Sequence, residues 1–326
     1  MPALTLIDWA KRQGPDSKQA KIVELLNQTN EILDDMLFVE GNLPTGHRTT
    51  VRTGLPSATW RLLNYGVQPS KSTTAQVTDT VGMLETYSEV DKDLADLNSN
   101  TSEFLLSESL AFLESMNQEM AETLIYGDTS VHPQRFTGLA ARFNDLSAKS
   151  GTNIIDAGGT GSNLTSIYLV VWGENTVHGL FPKGSKAGLQ QEHKGQVTLE
   201  DENGGRYEGY RTHFQWKNGL TVRDWRYVVR IANIDMSKLK KDPEAADTLD
   251  LPDLLIQAIE KIPNLAMGRP AIYCNQAIRS WMRRQIKNSK NVNISMQEVA
   301  GKKVVSFDEI PVRRVDSILA TESQVK

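Results

Sequence analysis

The sequence predicts an α+β fold, in which helices and strands occupy separate stretches of chain rather than alternate. Three observations carry this. Residues 101–126 repeat apolar side chains at helical spacing, residues 166–234 break into strand-like runs, and both patterns return after residue 250. With 326 residues, 39% hydrophobic and 23% charged, the chain can form two domains or one elaborate domain around a sizeable core.

Residues 1–46 read as an arm rather than a domain. The run KIVELLNQTNEILDDML places Ile22, Leu25, Leu26, Ile32, Leu33 and Leu37 on one helical face, and GNLPTGHR breaks it with Gly and Pro. A lone amphipathic helix cannot bury its own stripe, so this face packs either on its own domain or on a neighbouring subunit. From Thr49 to Asp91 the texture becomes Thr- and Val-rich and partly alternating (TTVRTG, then SKSTTAQVTDTVGMLETYSEV), which favours strands. Between them lies LPSATWRLLNYGVQPSKS, with turn residues Pro56, Gly66 and Pro69. Few large apolar residues accompany the two strands, so they read as a long projecting hairpin.

The clearest helix is TSEFLLSESLAFLESMNQEMAETLIY, residues 101–126. Leu106, Leu110, Leu113, Met120 and Leu124 keep helical spacing and are expected to face the core, with Glu108, Glu114, Glu119 and Glu122 largely elsewhere. Thr101 or Ser102 is placed to cap its start, and Gly127 follows its end. At ~1.5 Å per residue it runs roughly 39 Å. After the Gly-rich GTNIIDAGGTGSN come the runs SIYLVVWG, QVTLED, GRYEGYRTHFQWK, GLTVRDW and RYVVRIANI, with Asn203-Gly204 as a hairpin signal. DTLDLPDLLIQAIEKIP is helical, with Leu254, Leu255, Ala258 and Ile262 on one side. RPAIYCN is a strand, QAIRSWMRRQIKNSK a basic helix, and KKVVSFDEIPVRRVDSIL returns to strands.

The net charge is −4, and a sequence-reading nucleic-acid binder is usually strongly basic, because phosphate contacts supply most of its affinity. A single cysteine, Cys274, excludes an intrachain disulfide and thiolate zinc sites. MPALTLIDWAKRQGPD lacks the basic start and apolar stretch of a signal peptide, and no run reaches the ~18 apolar residues of a membrane span. The sequence therefore predicts synthesis in a cytoplasm and no membrane partner.

GLFPKGSKAG, residues 179–188, is the one stretch that looks like a phosphate loop. Such a loop needs G-x-x-x-x-G-K-[ST] opening a helix, so that backbone N–H groups and a Lys surround the phosphates. Here Ser185 and Lys186 are transposed, Pro182 removes a donor, and the chain runs on toward a strand. The stretch reads as a positively charged turn. GGTGS at 158–162 lacks the dinucleotide-binding spacing, and G-x-S-x-G is absent. The histidines at 47, 132, 178, 193 and 213 show no metal-ligand spacing. Asp91, Asp93 and Asp96 lack the Gly and Glu of a calcium loop and read as a solvated or helix-capping cluster. Arg279, Arg283, Lys287 and Lys290 share one helical face, with Arg284 and Trp281 nearby. This face is expected to meet acidic partners on a neighbour, with nucleic acid as the minor alternative. No catalytic residues, cofactor or metal are assigned.

The order arm, hairpin, long helix, mixed body resembles the major capsid protein of tailed bacteriophages, the Hong Kong 97 type of shell fold. LPSATWRLLNYGVQPSKSTTAQVTDTVGMLETYSEVDKDLADL is similar to the family's extended loop running into its spine helix. LIYGDTSVHPQRFTGLAARFNDL resembles the end of that helix with its "YG…P..F.GL" turn. VVWGENTVHGLFPKGSKAGLQ looks like a segment of one podovirus and siphovirus branch, and EIPVRRVDSIL resembles the closing strand. The resemblance covers nearly the whole chain. The strand-rich block 166–234, standing before the later helices, departs from the type arrangement and implies a rearranged topology.

The resemblance implies a non-enzymatic structural subunit that self-assembles, as pentamers and hexamers, into the icosahedral head around double-stranded DNA. The alternatives are another virion structural or decoration protein and, least of all, a nucleotide-binding enzyme using residues 179–188. The implied domains are an arm (1–46), an extended loop (47–90), a peripheral domain (91–234) with spine helix 101–126, an axial domain (235–305), and a C-terminal strand (306–326) returning to the peripheral domain. Trp60, Lys71, Lys183, Lys186, Arg279, Arg283 and Arg284 are the candidate subunit-interface residues. The implied partners are other copies of the chain, portal and scaffold or decoration proteins, and packaged DNA contacted without sequence preference. The implied location is the virion, after assembly in a host cytoplasm.

Overall fold

A computed structural model describes residues 28–97, 100–201, 203–239, 249–287, 294–299 and 302–326. In chain order, the first half holds α1 (Ile32–Asp35), β1 (Phe38–Glu40), β2 (Gly46–Gly54), β3 (Thr73–Asp91), α2 (Lys92–Asp96), α3 (Thr101–Tyr126) and α4 (Leu139–Arg142). Then follow β4 (Ile154–Asp156), β5 (Leu164–Trp172), β6 (Val177–Phe181), β7 (Leu189–Glu200), β8 (Arg206–Val222) and β9 (Val228–Asp235). The last part holds α5 (Leu251–Glu260), β10 (Arg269–Cys274), α6 (Gln276–Lys287), β11 (Ile294–Val299), β12 (Lys302–Phe307) and β13 (Ile310–Arg314).

LTSIYLVVW, the β5 sequence, shows no polar alternation, and the structure gives the reason: all nine residues are buried. β5 pairs antiparallel with β9 on one side and with β10 on the other. β10 in turn pairs in parallel with β13. Side chains alternate between two cores. Ile167, Leu169 and Val171 join Val229, Ile231 and Ile272 under α5 and α6, whose Leu251, Leu255, Ala258, Ile278, Trp281 and Met282 close that face. Tyr168, Val170 and Trp172 join Val228, Ala232 and Tyr273 beneath Met120, Leu124 and Ile125 of α3. Each fully buried aliphatic side chain here stabilises the fold by roughly 1.5–3 kcal/mol.

A boundary at 234/235 was expected between peripheral and axial domains. The first core runs straight across it, uniting residues 155–234 with residues 251–312. The chain leaves β9, and α5 and β10 bring it back onto the same sheet.

β6 touches β5 through the single parallel pair Trp172↔Val177 and begins a second wing. There β8, 17 residues long, pairs with β6, β7 and β3. The sequence runs GRYEGYRTHFQWK and GLTV are thus one strand. β7 and β8 are joined by the expected turn, with Gly204 at φ +81°.

α3 has the bounds read from its periodicity, but two of the five expected stripe residues face solvent. Met120 and Leu124 are buried and Leu113 is half-buried, whereas Leu106 is 61% and Leu110 51% exposed. The first half of the helix lies along the edge of the body and buries Phe104 against Val90 and Ala95 instead. Farther along, Phe112 stacks on Phe214 of β8 at 6.3 Å. Asn100, not Thr101 or Ser102, holds the N-cap position, and its side-chain amide donates to Glu103. Asp91 caps α2, its carboxylate accepting from the N–H groups of Asp93 and Leu94, as the capping reading of the aspartate cluster expects.

Candidate subunit-contact surfaces

The first surface is built by β2 and β3. They pair antiparallel from Gly46↔Thr80 to Gly54↔Thr73, and β3 then continues alongside β8 from Val81↔Gly219 to Asp91↔Gly209. One half of this 19-residue strand is rooted in the body and the other carries the hairpin. Residues 55–72 join the strands, longer than a structureless loop in a compact domain usually is. Leu55, Trp60, Leu62, Leu63, Tyr65 and Val67 all stand in solvent, Trp60 at 105% exposure. Lys71 is exposed near the end of the loop, two residues before the returning strand. Six large apolar side chains on one projection form a patch of the kind that marks an interaction surface.

A second surface is formed by α3 and β3, with Leu106 and Leu110 exposed on the first half of the helix and Met83 exposed on the strand. The helix ends in a turn that explains the YG…P..F.GL spacing. Gly138 donates its N–H to the Gly127 carbonyl at 2.8 Å, and a Cβ at Gly138 would lie 2.6 Å from the Thr123 carbonyl oxygen. Phe136 and Leu139 are driven into the core, and the Tyr126 hydroxyl reaches Glu322. Glu322 also forms a buried ion pair with Arg230 at 3.0 Å. Arg230 donates further to Ser166 and to the Phe143 carbonyl, so its charge is fully satisfied inside the core. This network ties the C-terminal segment to α3 and the central sheet.

The third surface holds the turn after β6. Its geometry is that of a tight turn and not of an anion cradle. Ser185 N–H donates to the Pro182 carbonyl at 3.0 Å, and Gly184, at φ +79°, donates its N–H to the Glu40 carboxylate at 2.7 Å. A carboxylate thus fills the donor that a phosphate would need, and the next element is β7, not a helix. Lys183 and Lys186 are both exposed beside it.

The fourth is the basic face of α6. Arg283 and Arg284 are exposed, and with Arg279 and Arg314 they line a cleft. Arg279 departs from the expected partner on a neighbour: it pairs at 3.4 Å with Glu31 of its own chain. Trp281 is buried with Ile278 and Met282 as the helix's inner face. Lys290 lies outside the described residues. Cys274 is fully buried under this helix, and burial pushes its thiol up to about 12, far from a reactive thiolate.

Sequence reasoning missed the contacts that fasten the N-terminal segment. Asp35 meets Arg313 at 3.1 Å and accepts from the Tyr273 hydroxyl, which accepts in turn from the Trp172 indole at 2.6 Å. Burial raises the Asp35 carboxyl above its ordinary value, with Arg313 opposing the rise. Glu31 accepts from the Arg314 N–H at 2.8 Å. The arginines of VRRVD are therefore partly a clamp for residues 31–35. Ile32 and Met36 are buried in this chain's own core, so the described part of the arm, residues 28–46, packs at home. Ile22, Leu25 and Leu26 lie outside the described residues.

Among the described residues no group of His, Cys, Asp and Glu side chains is arranged to hold a metal, and no helix is long and apolar enough to cross a membrane. What the surface offers is projecting apolar area and charged patches around a double-layered core, the arrangement of a shell-building protein of the tailed-phage capsid fold. The chain belongs to the family of the major capsid protein GP7, whose model matches residues 14–326. A chain of the bacteriophage Epsilon15 structure shares 40% identity over 100% of this chain and 98% of its own, with a TM-score of 0.76. The bacteriophage JBD30 capsid matches at 10% identity over 90% of this chain and 92% of its own, with a TM-score of 0.50, a likeness of fold alone. No curated protein matches the chain. It is a structural subunit of a phage head, and its place is the virion shell.

Proposed function

We propose that the β2–β3 hairpin with residues 55–72 is the extended loop of this subunit and lies on an adjacent copy within pentamers and hexamers. The observation that carries this is the apolar tip, six large side chains held away from any core of their own. In that reading Trp60 and Lys71 are contact residues, α3 is the spine, and its exposed Leu106 and Leu110 belong to the same subunit contacts. Multivalency turns many such weak contacts into a stable shell. The core shared across residue 235 supports grouping β4, β5 and β9 with the axial elements α5, β10 and α6, leaving α3, β3, β7 and β8 as the peripheral unit.

The chain acts by assembly and not by catalysis. Gly179–Phe181 belong to β6, and the Glu40 carboxylate held by Gly184 supports reading the rest of the stretch, residues 182–188, as a turn, with Lys183 and Lys186 directed at a neighbouring subunit. Arg283 and Arg284 meet an acidic surface of an adjacent copy, and the enclosed DNA is contacted without sequence reading. Portal and scaffold or decoration proteins complete the head. Cryo-electron microscopy of shells assembled from the expressed chain tests the loop assignment. Density for residues 55–72 is expected on an adjacent subunit. Density folded over its own body, or a chain that stays monomeric at high concentration, would overturn it.

A further inference from the structure

The hairpin is anchored at its root by an unusual set of buried polar groups. His47, the second residue of β2, is 6% exposed, and His178 of β6 is fully buried. Their rings meet edge to face, 5.9 Å between centroids. Arg223, just past β8, donates to His47 Nε2 at 3.1 Å. An imidazole that accepts from a guanidinium must be neutral at that nitrogen. His178 uses Nδ1 on the Gly179 carbonyl at 3.1 Å, and its Nε2 has no hydrogen-bond partner within the chain. Asp79 lies across from His47 in the β2–β3 pairing. Its Oδ1 is taken by Arg142 of α4 at 2.8 Å, and its Oδ2 is likewise unpartnered. Arg223 Nε completes a trio of buried polar atoms without partners. Such groups are rare in a native interior, and they gather here where the hairpin meets its base.

The charges around the two rings oppose protonation. His47 faces Arg223 and His178, with Asp79 favouring its charged form. His178 faces Arg223 and His47, with Glu174 favouring its charged form. Asp79 is already engaged by Arg142.

We propose that this joint is a proton-sensitive latch: acidification charges His47 and His178 together beside Arg223 and releases β2 and the root of β3 from β6 and β8. The closed joint holds the segment leading into β2 against the end of β6, with Gly41 N–H on the Phe181 carbonyl at 2.8 Å and Lys183 N–H on the Leu43 carbonyl at 3.4 Å. Two imidazolium rings in contact with a guanidinium cannot keep that packing, while an opened joint hydrates all three cations. Desolvation is the largest cause lowering both histidines below their ordinary value, and Arg223 adds to it. The sign follows. The latch is fully closed above ~6.5, the ordinary histidine value, and loosens as the pH falls below it, because the open joint binds protons that the closed one does not.

Hydrogen–deuterium exchange by mass spectrometry, on the full chain as assembled, tests this in two readouts. Exchange at imidazole C2 reports each histidine's titration, and both midpoints are expected below that of a free histidine peptide. Backbone exchange in peptides covering 40–47 and 177–184, which carry the bridging Gly41 and Lys183 amides, corrected for its intrinsic pH dependence, is expected to rise about tenfold or more from pH 8 to pH 5. The double variant His47→Gln with His178→Gln is expected to flatten that rise. Histidine midpoints at or above the free value, a flat backbone profile in the natural chain, or an unchanged rise in a folded double variant would each overturn the latch. The midpoints need no variant, so the inference stays testable if the double variant fails to fold.

Discussion

Two hairpins project from the same strand neighbourhood, and they are finished in opposite ways. β2 and β3 end in residues 55–72, whose large apolar side chains stand in solvent. β7 and β8 end in a five-residue turn. Its Asp201 carboxylate accepts from the N–H groups of Asn203 at 2.8 Å and Gly205 at 2.7 Å, and no large apolar side chain of β7 is exposed. β7 also carries a bulge between His193 and Gly195, with Gly195 at φ +75°, and bulges of this kind discourage a sheet edge from pairing with another chain. The second hairpin closes its own turn and keeps the apolar side chains of β7 covered. The first leaves its apolar surface unsatisfied, which makes sense in a protein whose working state is an assembly.

The largest expected effect comes from replacing residues 55–72 with a two-residue Asn-Gly turn. The subunit should fold, judged by circular dichroism, and shells should be absent from electron micrographs. Normal shells would remove the contrast between the hairpins. Next is Gly209→Ala, where the second hairpin passes the end of β3 and a Cβ would sit 2.7 Å from the Val90 carbonyl oxygen and 2.4 Å from Leu199 Cδ1. It should cost about 1–3 kcal/mol in denaturant unfolding of the subunit.

Trp60→Ala separates folding from assembly. Unfolding free energy should stay within about 0.5 kcal/mol of the natural chain. The critical concentration for assembly, read by light scattering, should rise about thirtyfold, equivalent to ~2 kcal/mol per buried aromatic contact. The smallest effect is at the other tip. Asp201→Ala should cost about 1 kcal/mol locally, visible as faster exchange of the Asn203 and Gly205 amides, with shell yield unchanged.

The legible parts of the sequence were those governed by local chemistry. The bounds of α3, the Thr-rich strands of the first hairpin, the Asn203-Gly204 turn and the helix around Leu255 and Ala258 all follow from periodicity or turn residues. The burial of α3 was half legible. A stripe of leucines at helical spacing states that a face is apolar, but not whether this chain or its neighbour covers it, and Leu106 and Leu110 went uncovered. The phosphate-loop likeness was already weakened by the transposed Ser185 and Lys186. The structure adds Glu40, 144 residues away, on the Gly184 N–H.

By itself, then, the sequence determined the long helix, the Asn203-Gly204 turn and the family, because helix spacing, turn chemistry and the YG…P..F.GL and VRRVD segments are written in neighbouring residues, whereas β1 and β6 were not legible there. The tertiary structure decided what distant residues do together: Glu322 on Arg230, Asp35 on Arg313, His47 against His178 and Arg223, and the single core spanning residue 235. Those pairs lie tens to hundreds of positions apart. Only the folded sheet, by excluding water from each meeting point, turns such charges and rings into clamps and joints.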